Sequence, residues 1–389
     1  MAAAGTPIWG DPRAGEQSPA LDGDLQADFC VVGLGGSGLA AVGALLDAGA
    51  SVAGIDAGPV AGAAAGRNGG FLLAGGSRFH HAAVEAWGRE RAVELYRLTL
   101  TELDRLEAEL GPEIVRRVGS ERRPATAEEA DDCRAQADAL ERDGLPAERL
   151  DGGSVLVPTD GAVDPYARCR KLAAGAIRRG ARLFSGTPAL DIRGDEVRTP
   201  SGAVACGAVI VAVDGGLERV LPELAGRVRS LRLQMLATAP VERTVEVWPV
   251  YYRWGYDYWQ QLPDGRIAIG AARDRHEATE WGAAPEPTDA VQADIERVLR
   301  EEVGVDAPVT HRWAGEVAFT DDGLTLLEEV RSGVIAVGAH NGHGNVLGSA
   351  AARAAATKAL HNVESALWEL LQAQPEVEPE VFVRGGPGT

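Results

Sequence analysis

The stretch that decides the fold is DFCVVGLGGSGLAAVGALLDAGASVAGID, residues 28–56. Its first residues, 28–33, form a nearly continuous apolar run, which is typical of a strand buried on both faces. The apolar positions of residues 37–48 then follow helical spacing, and residues 51–56 return to the pattern of a strand. The sequence therefore predicts a βαβ unit near the start of the chain.

The turn between this strand and this helix fits G-x-G-x-x-G, with glycines at 33, 35 and 38. Gly33 permits the tight turn, Gly35 lets a pyrophosphate approach the backbone, and Gly38 lets the helix pack closely. Asp56 ends the second strand, where a carboxylate accepts hydrogen bonds from the ribose of an adenosine. The pattern predicts a dinucleotide site, and the alternative is a glycine-rich turn in an ordinary α/β protein.

Two further glycine-rich segments bear on which dinucleotide binds. Residues 66–71 read GRNGGF, a loop whose backbone can press against a flat ring while Arg67 and Asn68 donate hydrogen bonds to it. Residues 338–346 read GAHNGHGNV and lie between a predicted strand and a long helix, so they offer a second helix N-terminus to an electron-rich ring. In isolation, the first is equally consistent with a surface loop and the second with a plain strand–helix connection.

The rest of the chain is assigned from its periodicity. An antiparallel sheet is expected over residues 228–275, where apolar and polar residues alternate between turn signals. The remaining predicted helices are 89–110, 126–143, 165–180, 289–302 and 346–372, and the remaining predicted strands are 181–193, 203–213 and 333–339. A nucleotide-type unit at the start, an antiparallel sheet in the middle and a final strand and helix indicate a nucleotide domain interrupted by a second domain.

As a set, these segments resemble the D-amino-acid-oxidase-like superfamily of FAD-dependent oxidoreductases, within it the gamma-glutamylputrescine-oxidase-like branch. The matching segments span nearly the whole chain in order: residues 33–38, GRNGGF at 66–71, GAVDPY at 161–166, PDGRIAIG at 263–270, RWAGEVAFTDDGL at 312–324 and GAHNGHGNVLG at 338–348. The resemblance implies an α/β plus α+β fold, with a glutathione-reductase-type FAD-binding Rossmann domain and an interleaved antiparallel-sheet substrate domain.

The resemblance also implies domain bounds and a cofactor. The discontinuous FAD domain is expected at 25–80, 151–225 and 310–372, the substrate domain at 81–150 and 226–309, and terminal extensions at 1–24 and 373–389. The residues predicted to bind FAD are Gly33, Gly35, Gly36, Ser37, Gly38, Asp56, Ala57, Gly66, Arg67, Asn68, Gly69, Gly70, Ala189, Gly315, Gly342, His343, Gly344, Asn345 and Val346.

The chain departs from the family pattern in two informative places. Sarcosine-oxidase relatives carry a lysine for the substrate carboxylate where this chain has Val346, which favours a simple amine substrate unless Arg67 or Arg253 supplies the cation. Those relatives also attach FAD through a C-terminal cysteine, and no cysteine follows Cys206. Noncovalent FAD is therefore expected, and the residues considered for a histidyl link instead are His80 and His81.

The substrate is expected against the segment WPVYYRWGYDYW, residues 248–259, because seven of its twelve residues are aromatic in a chain that has only 8 Trp, 6 Tyr and 6 Phe. Such a cluster builds a wall that excludes water. With a period of two, Tyr256, Tyr258 and Gln260 share one face. Tyr258 and His343 are the predicted catalytic residues, and the alternative for the aromatic segment is sheet core or a subunit contact.

The expected reaction is oxidation of a C–N bond in an amine or amino acid, by hydride transfer to flavin N5 to give an imine, with reoxidation by dioxygen or another acceptor. The competing hypotheses are an NAD(P)H-dependent flavin monooxygenase and a non-catalytic flavoprotein. The formal charge of −19 argues against nucleic acid and anionic membranes as partners. Four unpatterned cysteines indicate neither a metal site nor disulfides, so a reduced, cytoplasmic protein is expected, as a monomer or homodimer.

Overall fold

The computed structural model describes residues 3–14 and 18–372 of the chain. Its helices are α1 (Gly36–Asp47), α2 (His80–Trp87), α3 (Arg89–Leu110), α4 (Ala127–Arg142), α5 (Pro165–Arg178), α6 (Leu217–Val220), α7 (Glu277–Glu280), α8 (Asp289–Glu301), α9 (Leu347–His361) and α10 (Ala366–Gln372). Its strands are β1 (Ala3–Ala4), β2 (Leu25–Gln26), β3 (Phe29–Val32), β4 (Val52–Ile55), β5 (Phe71–Leu72), β6 (Val115–Arg116), β7 (Ser120–Arg123), β8 (Glu148–Arg149), β9 (Val155–Val157), β10 (Gly161–Val163), β11 (Arg182–Phe184), β12 (Asp191–Ile192), β13 (Glu196–Thr199), β14 (Gly202–Ala205), β15 (Ala208–Val211), β16 (Val228–Thr238), β17 (Val250–Tyr252), β18 (Asp257–Gln261), β19 (Ile267–Gly270), β20 (Val309–Thr320), β21 (Leu326–Arg331) and β22 (Val334–Gly338).

A six-stranded sheet in the order β11-β4-β3-β15-β22-β21 forms the centre of the first region. All its neighbouring pairs are parallel except β21 with β22. Helices α1, α5 and α9 pack their small apolar residues against one face of it. The four-stranded sheet β12-β13-β14-β2 packs against the other face, so the central strands are buried on both sides.

The second region is a nine-stranded sheet in the order β1-β20-β16-β19-β18-β17-β7-β9-β8. Helix α8 covers one face of it, where Val291, Ile295 and Leu299 pack against Trp259 and Ile269. The three-stranded sheet β5-β10-β6 lies beside these two regions. This arrangement leaves the other face of β18 free to line a cavity shared with the first region.

The predicted fold class is confirmed, and helix α3 has the predicted bounds. The predicted single helix over 346–372 is wrong, because Asn362 adopts a left-handed conformation (φ 54°) and separates α9 from α10. Strands β9 and β20 belong to the nine-stranded sheet. The predicted domain bounds stay a prediction.

The described part of the predicted N-terminal extension, residues 1–24, packs on the fold. Strand β1 pairs in parallel with β20, Ile8 and Leu21 are buried, and the Trp9 indole donates to the Asn68 carbonyl at 2.9 Å. The predicted C-terminal extension, residues 373–389, lies outside the described residues. None of the described helices is long and apolar enough to span a bilayer.

Candidate functional site

A cavity of 1010 Å³ opens at the carboxyl ends of β3, β4, β15 and β22. It lies where the strand order reverses, between β3 and β15, which is where open α/β sheets bind ligands. Its volume is at the upper end of the range for small-molecule sites, about 300–1,000 Å³. The cavity extends from the turn after β3 to the aromatic residues of the nine-stranded sheet, so it can accept one long ligand with room beside it.

Most residues predicted to bind the cofactor line this cavity. They are Gly33, Gly35, Gly36, Ser37, Asp56, Ala57, Arg67, Asn68, Gly69, Ala189, Gly315, Gly342, Gly344 and Asn345. The cavity lining does not include Gly38, Gly66, Gly70, His343 or Val346. The three glycines in that second group are needed for close backbone packing. A Cβ on Gly38, Gly66 or Gly70 would lie within 2.4 Å of a carbonyl oxygen.

The glycine fingerprint has the geometry of an anion cradle. Gly33 has a φ of +101°, and a Cβ there would lie 2.5 Å from the Ala212 carbonyl oxygen. Helix α1 begins at Gly36 and points its N-terminus at the cavity wall formed by Gly35, Gly36 and Ser37. The first N–H groups of a helix have no partner inside the helix and carry partial positive charge, so this end attracts a phosphate.

Asp56 lies at the end of β4 and lines the same cavity. Its two carboxylate oxygens accept from the backbone N–H groups of Leu34, at 2.7 Å, and Gly58, at 2.8 Å. Burial raises the pKa of this carboxyl above its usual value, and the two backbone donors oppose the rise. Each oxygen keeps a second lone pair, so Asp56 holds the turn after β3 and still has acceptors for ribose hydroxyls.

The GRNGGF loop uses its polar side chains mostly within the protein. Arg67 donates through Nε to the Gly62 carbonyl and through Nη1 to the Gly5 and Ala314 carbonyls. The Asn68 amide donates to Ala64 and Ala65, and its oxygen accepts from the Gly70 N–H. The side-chain N–H donors of Asn68 are thus engaged within the protein, although Asn68 lines the cavity.

The loop after β22 is tied to this first loop and to α1. Asn345 donates to Asn68 Oδ1 at 3.0 Å and to the Phe71 carbonyl at 2.9 Å, while His340 Nε2 lies 3.1 Å from Ser37 Oγ. Val346 is 1% exposed and packs in an apolar cluster beneath the loop. The Val346 side chain therefore faces the core and does not line the cavity.

The aromatic segment builds the far wall of the cavity. Tyr251, Tyr256 and Tyr258 line it, and Phe71 meets the Tyr258 ring edge-on, with 5.8 Å between centroids. On the opposite face of β18, Trp259 is fully buried against α8. The predicted alternation of faces is confirmed, and Tyr258 faces the cavity.

Burial keeps Tyr251, Tyr258 and the neighbouring His343 neutral at ordinary pH. Burial raises the pKa of the Tyr251 and Tyr258 phenols and lowers the pKa of His343 to about 4. His343 Nδ1 lies 3.2 Å from the Asn341 carbonyl oxygen, which only accepts, so Nδ1 carries the proton. His343 contacts the edge of the Tyr251 ring, at 6.3 Å between centroids, and reaches the cavity only through that ring.

The cations beside the Tyr256 ring differ in their partners. Arg253, expected from sequence as a substitute clamp, contacts both Asp257 and Asp274 and is already neutralised. Arg273 has no carboxylate partner among the described residues. Its guanidinium lies over Tyr256 and Phe319, at 4.8 and 5.2 Å from the ring centroids. The preceding Ala272 holds a positive φ of 65°, a conformation that costs energy outside glycine and fixes where Arg273 points.

Comparison with known proteins identifies the family. The model of the FAD dependent oxidoreductase family, DAO, matches residues 28–358. The chain belongs to this family. It is 28% identical to "Probable oxidoreductase OrdL" of Rhizobium meliloti, over 85% of this chain and 82% of that protein.

Solved structures agree with the DAO-family fold. Glycine oxidase from Geobacillus kaustophilus superposes with a TM-score of 0.75 at 21% identity, covering 88% of this chain and 96% of that one. L-proline dehydrogenase from P. horikoshii superposes with a TM-score of 0.73 at 18% identity, covering 89% and 96%. This chain is an FAD-dependent oxidoreductase, and the cradle and cavity described above suit that cofactor.

Several residues that line the cavity were not predicted from the sequence, among them Arg168, Tyr251, Arg273 and His340. Tyr251 and His340 lay in segments that the sequence analysis singled out, whereas Arg168 and Arg273 did not. Neither histidine considered for covalent attachment lines the cavity. His80 is buried against Asp143 at 2.7 Å, and His81 lies 3.5 Å from Asp132.

Proposed function

We propose that this chain oxidises the C–N bond of an amine that also carries a carboxylate. The observation that carries the proposal is the continuous cavity, which joins the dinucleotide cradle to a wall of Tyr251, Tyr256 and Tyr258 with the unpaired cation Arg273 beside it. A cation without a protein carboxylate attracts an anionic group of the ligand.

The residues that would hold FAD are the backbone of Gly35, Gly36 and Ser37 for the phosphates, Asp56 for the ribose, and the two glycine-rich loops for the ring system. When bound, FAD supplies the acceptor for a hydride from the carbon next to nitrogen, so that the amine becomes an imine, and dioxygen or another acceptor then removes the two electrons.

The tyrosine wall and Arg273 contribute to the proposed reaction in two ways. The tyrosine rings exclude water and restrict the orientation of the substrate, since bringing the reacting atoms into line lowers the barrier without any protein nucleophile. Arg273 disfavours a second positive charge nearby, so it favours the neutral amine over the ammonium form. Only the neutral form has the lone pair that expels a hydride.

The sequence-based preference for a simple amine is revised here. That preference depended on Val346 standing in place of a lysine, but the Val346 side chain is in the core and Arg273 supplies a cation elsewhere in the cavity. A carboxylate on the substrate then has a partner, which a buried charge requires.

A panel of matched substrates tests the proposal. Each N-alkyl amino acid is paired with the amine that lacks only the carboxylate, and turnover is measured with dioxygen and with a dye acceptor. We expect kcat/KM to be at least about 10-fold higher for the carboxylated member, the effect of one charge-assisted contact. Equal rates within each pair would refute the requirement for a carboxylate. No turnover of any amine would refute the proposal as a whole.

A further inference from the structure

Arg168 is the most deeply buried arginine of the described chain, at 1% exposure. It projects from α5, donating through Nη1 to Asn345 Oδ1 at 3.0 Å and through Nη2 to Ser349 Oγ at 2.5 Å. Its Nε has no hydrogen-bond partner, and no carboxylate pairs with it among the described residues. A buried charge in this state is costly, and burial accordingly lowers the pKa of its guanidinium.

Two other buried arginines have carboxylate partners. Arg122, at 6% exposure, pairs with Asp160 at 3.2 Å, and Arg232, at 8% exposure, pairs with Glu280 at 2.5 Å. The carboxylates that act on Arg168 from a distance are Glu102 and Glu109, and Arg353 already engages them at 3.1 and 2.9 Å. Arg168 therefore lacks the counter-charge that the fold provides elsewhere.

The guanidinium of Arg168 lies directly over the glycine fingerprint. A Cβ on Gly36 would be 3.0 Å from Arg168 Nη2 and 3.3 Å from Nη1. Gly36 occupies a variable position of G-x-G-x-x-G, and the closeness of the guanidinium explains why a glycine stands there. Arg168 lines the cavity together with Gly35, Gly36 and Ser37, so two sources of positive potential converge: an arginine and the N-terminus of α1.

We propose that Arg168 is the buried counter-cation of the cofactor's diphosphate, an inference that rests on this chain binding FAD. A diphosphate carries about two negative charges and several acceptor oxygens, which match an unpaired guanidinium beside a helix N-terminus. Through Asn345, which also contacts Asn68, the same side chain links the diphosphate end of the site to the two loops expected at the ring end.

The test compares Arg168→Gln with Arg178→Gln, a charge-matched control at an exposed position near the end of the same helix. Dissociation constants of the apoprotein are measured for FAD, ADP and adenosine. We expect Arg168→Gln to weaken FAD and ADP by about 10- to 100-fold and adenosine by less than about 2-fold, since only the first two carry a diphosphate. Arg178→Gln should change none of them.

Thermal unfolding gives the second readout. Because the variant removes an unpaired buried charge, the melting temperature of apo Arg168→Gln should equal or exceed that of the wild-type apoprotein. The increase in melting temperature on adding FAD should be smaller than in the wild type. A lower apo melting temperature with unchanged ADP affinity would overturn the proposal and leave Arg168 a structural role. If Arg168→Gln does not fold, Arg168→Lys takes its place in the same measurements. Equal affinity of the wild-type apoprotein for ADP and adenosine would also overturn the proposal. Failure of the wild type to bind FAD would instead refute the cofactor assignment.

Discussion

Gly35→Val separates binding from folding at the fingerprint. Gly35 has φ −84° and ψ −170°, an extended conformation that a β-branched residue adopts freely. A Cβ there meets only Ala65 Cβ, at 3.0 Å, and otherwise opens into the cavity in front of α1. We expect the apoprotein to lose about 1 kcal/mol, the cost of replacing glycine at a helix N-cap, and to remain folded.

Binding should respond far more strongly, because the valine methyl groups occupy the space that the diphosphate needs. At an FAD concentration 100 times the wild-type Kd, bound cofactor stabilises the fold by about 2.7 kcal/mol, and Gly35→Val should lose all of this. The assay is the flavin-to-protein absorbance ratio after purification, together with melting curves with and without added FAD.

Gly38→Ala is the contrasting variant. Its Cβ would lie 1.8 Å from the Gly33 carbonyl oxygen, so helix and turn must move apart and the apoprotein itself should lose about 1–3 kcal/mol or more. If Gly35→Val keeps stoichiometric FAD, or if its apoprotein is as damaged as that of Gly38→Ala, the assignment of the cradle is wrong.

Four further predictions follow from the site. Arg273→Met should raise KM for carboxylated amines by about 10- to 100-fold while hardly changing it for the matched amines without a carboxylate, measured by steady-state kinetics; a uniform change across both would argue against anion binding. Asp56→Asn should weaken FAD by about 10-fold, since the amide cannot accept from both Leu34 and Gly58 and hold the ribose as well; an unchanged Kd in a fluorescence titration would contradict this. The rate of flavin reduction should rise with pH between 6 and 9, because the substrate ammonium deprotonates. His343, with a pKa of about 4, stays neutral throughout that range and does not contribute to the rise; the same pH profile in His343→Gln checks this. Acid denaturation should release the flavin to the supernatant, and yellow colour retained in the precipitate would show a covalent link.

The local parts of the site could be predicted from the sequence. A strand, a glycine turn, a helix and Asp56 lie within thirty residues, and Gly38 is required by a contact inside that unit, since its Cβ would lie 1.8 Å from the Gly33 carbonyl oxygen. Helix α3 was predicted with its exact bounds because its apolar residues recur regularly over many turns. The break at Asn362 was missed because one asparagine in an Ala-rich run is a weak signal, and its left-handed conformation appears only in the fold.

The residues that sequence reasoning missed depend on long-range neighbours. Arg168 and Arg273 are distinguished by the carboxylates they lack, whereas the buried Arg122 and Arg232 have them, and sequence spacing does not show pairing across the fold. The resemblance did not give the direction of the Val346 side chain, which burial in the apolar cluster decides.

Anaerobic reduction of the bound flavin tests the central claim most directly. The purified protein is mixed without dioxygen with carboxylated amines, with hydroxy acids of the same carbon skeleton and with NADPH, and the flavin absorbance is followed. The account predicts rapid bleaching by at least one amine and none by its hydroxy analogue or by NADPH. Bleaching by a hydroxy acid or by NADPH, with none by any amine, would contradict it.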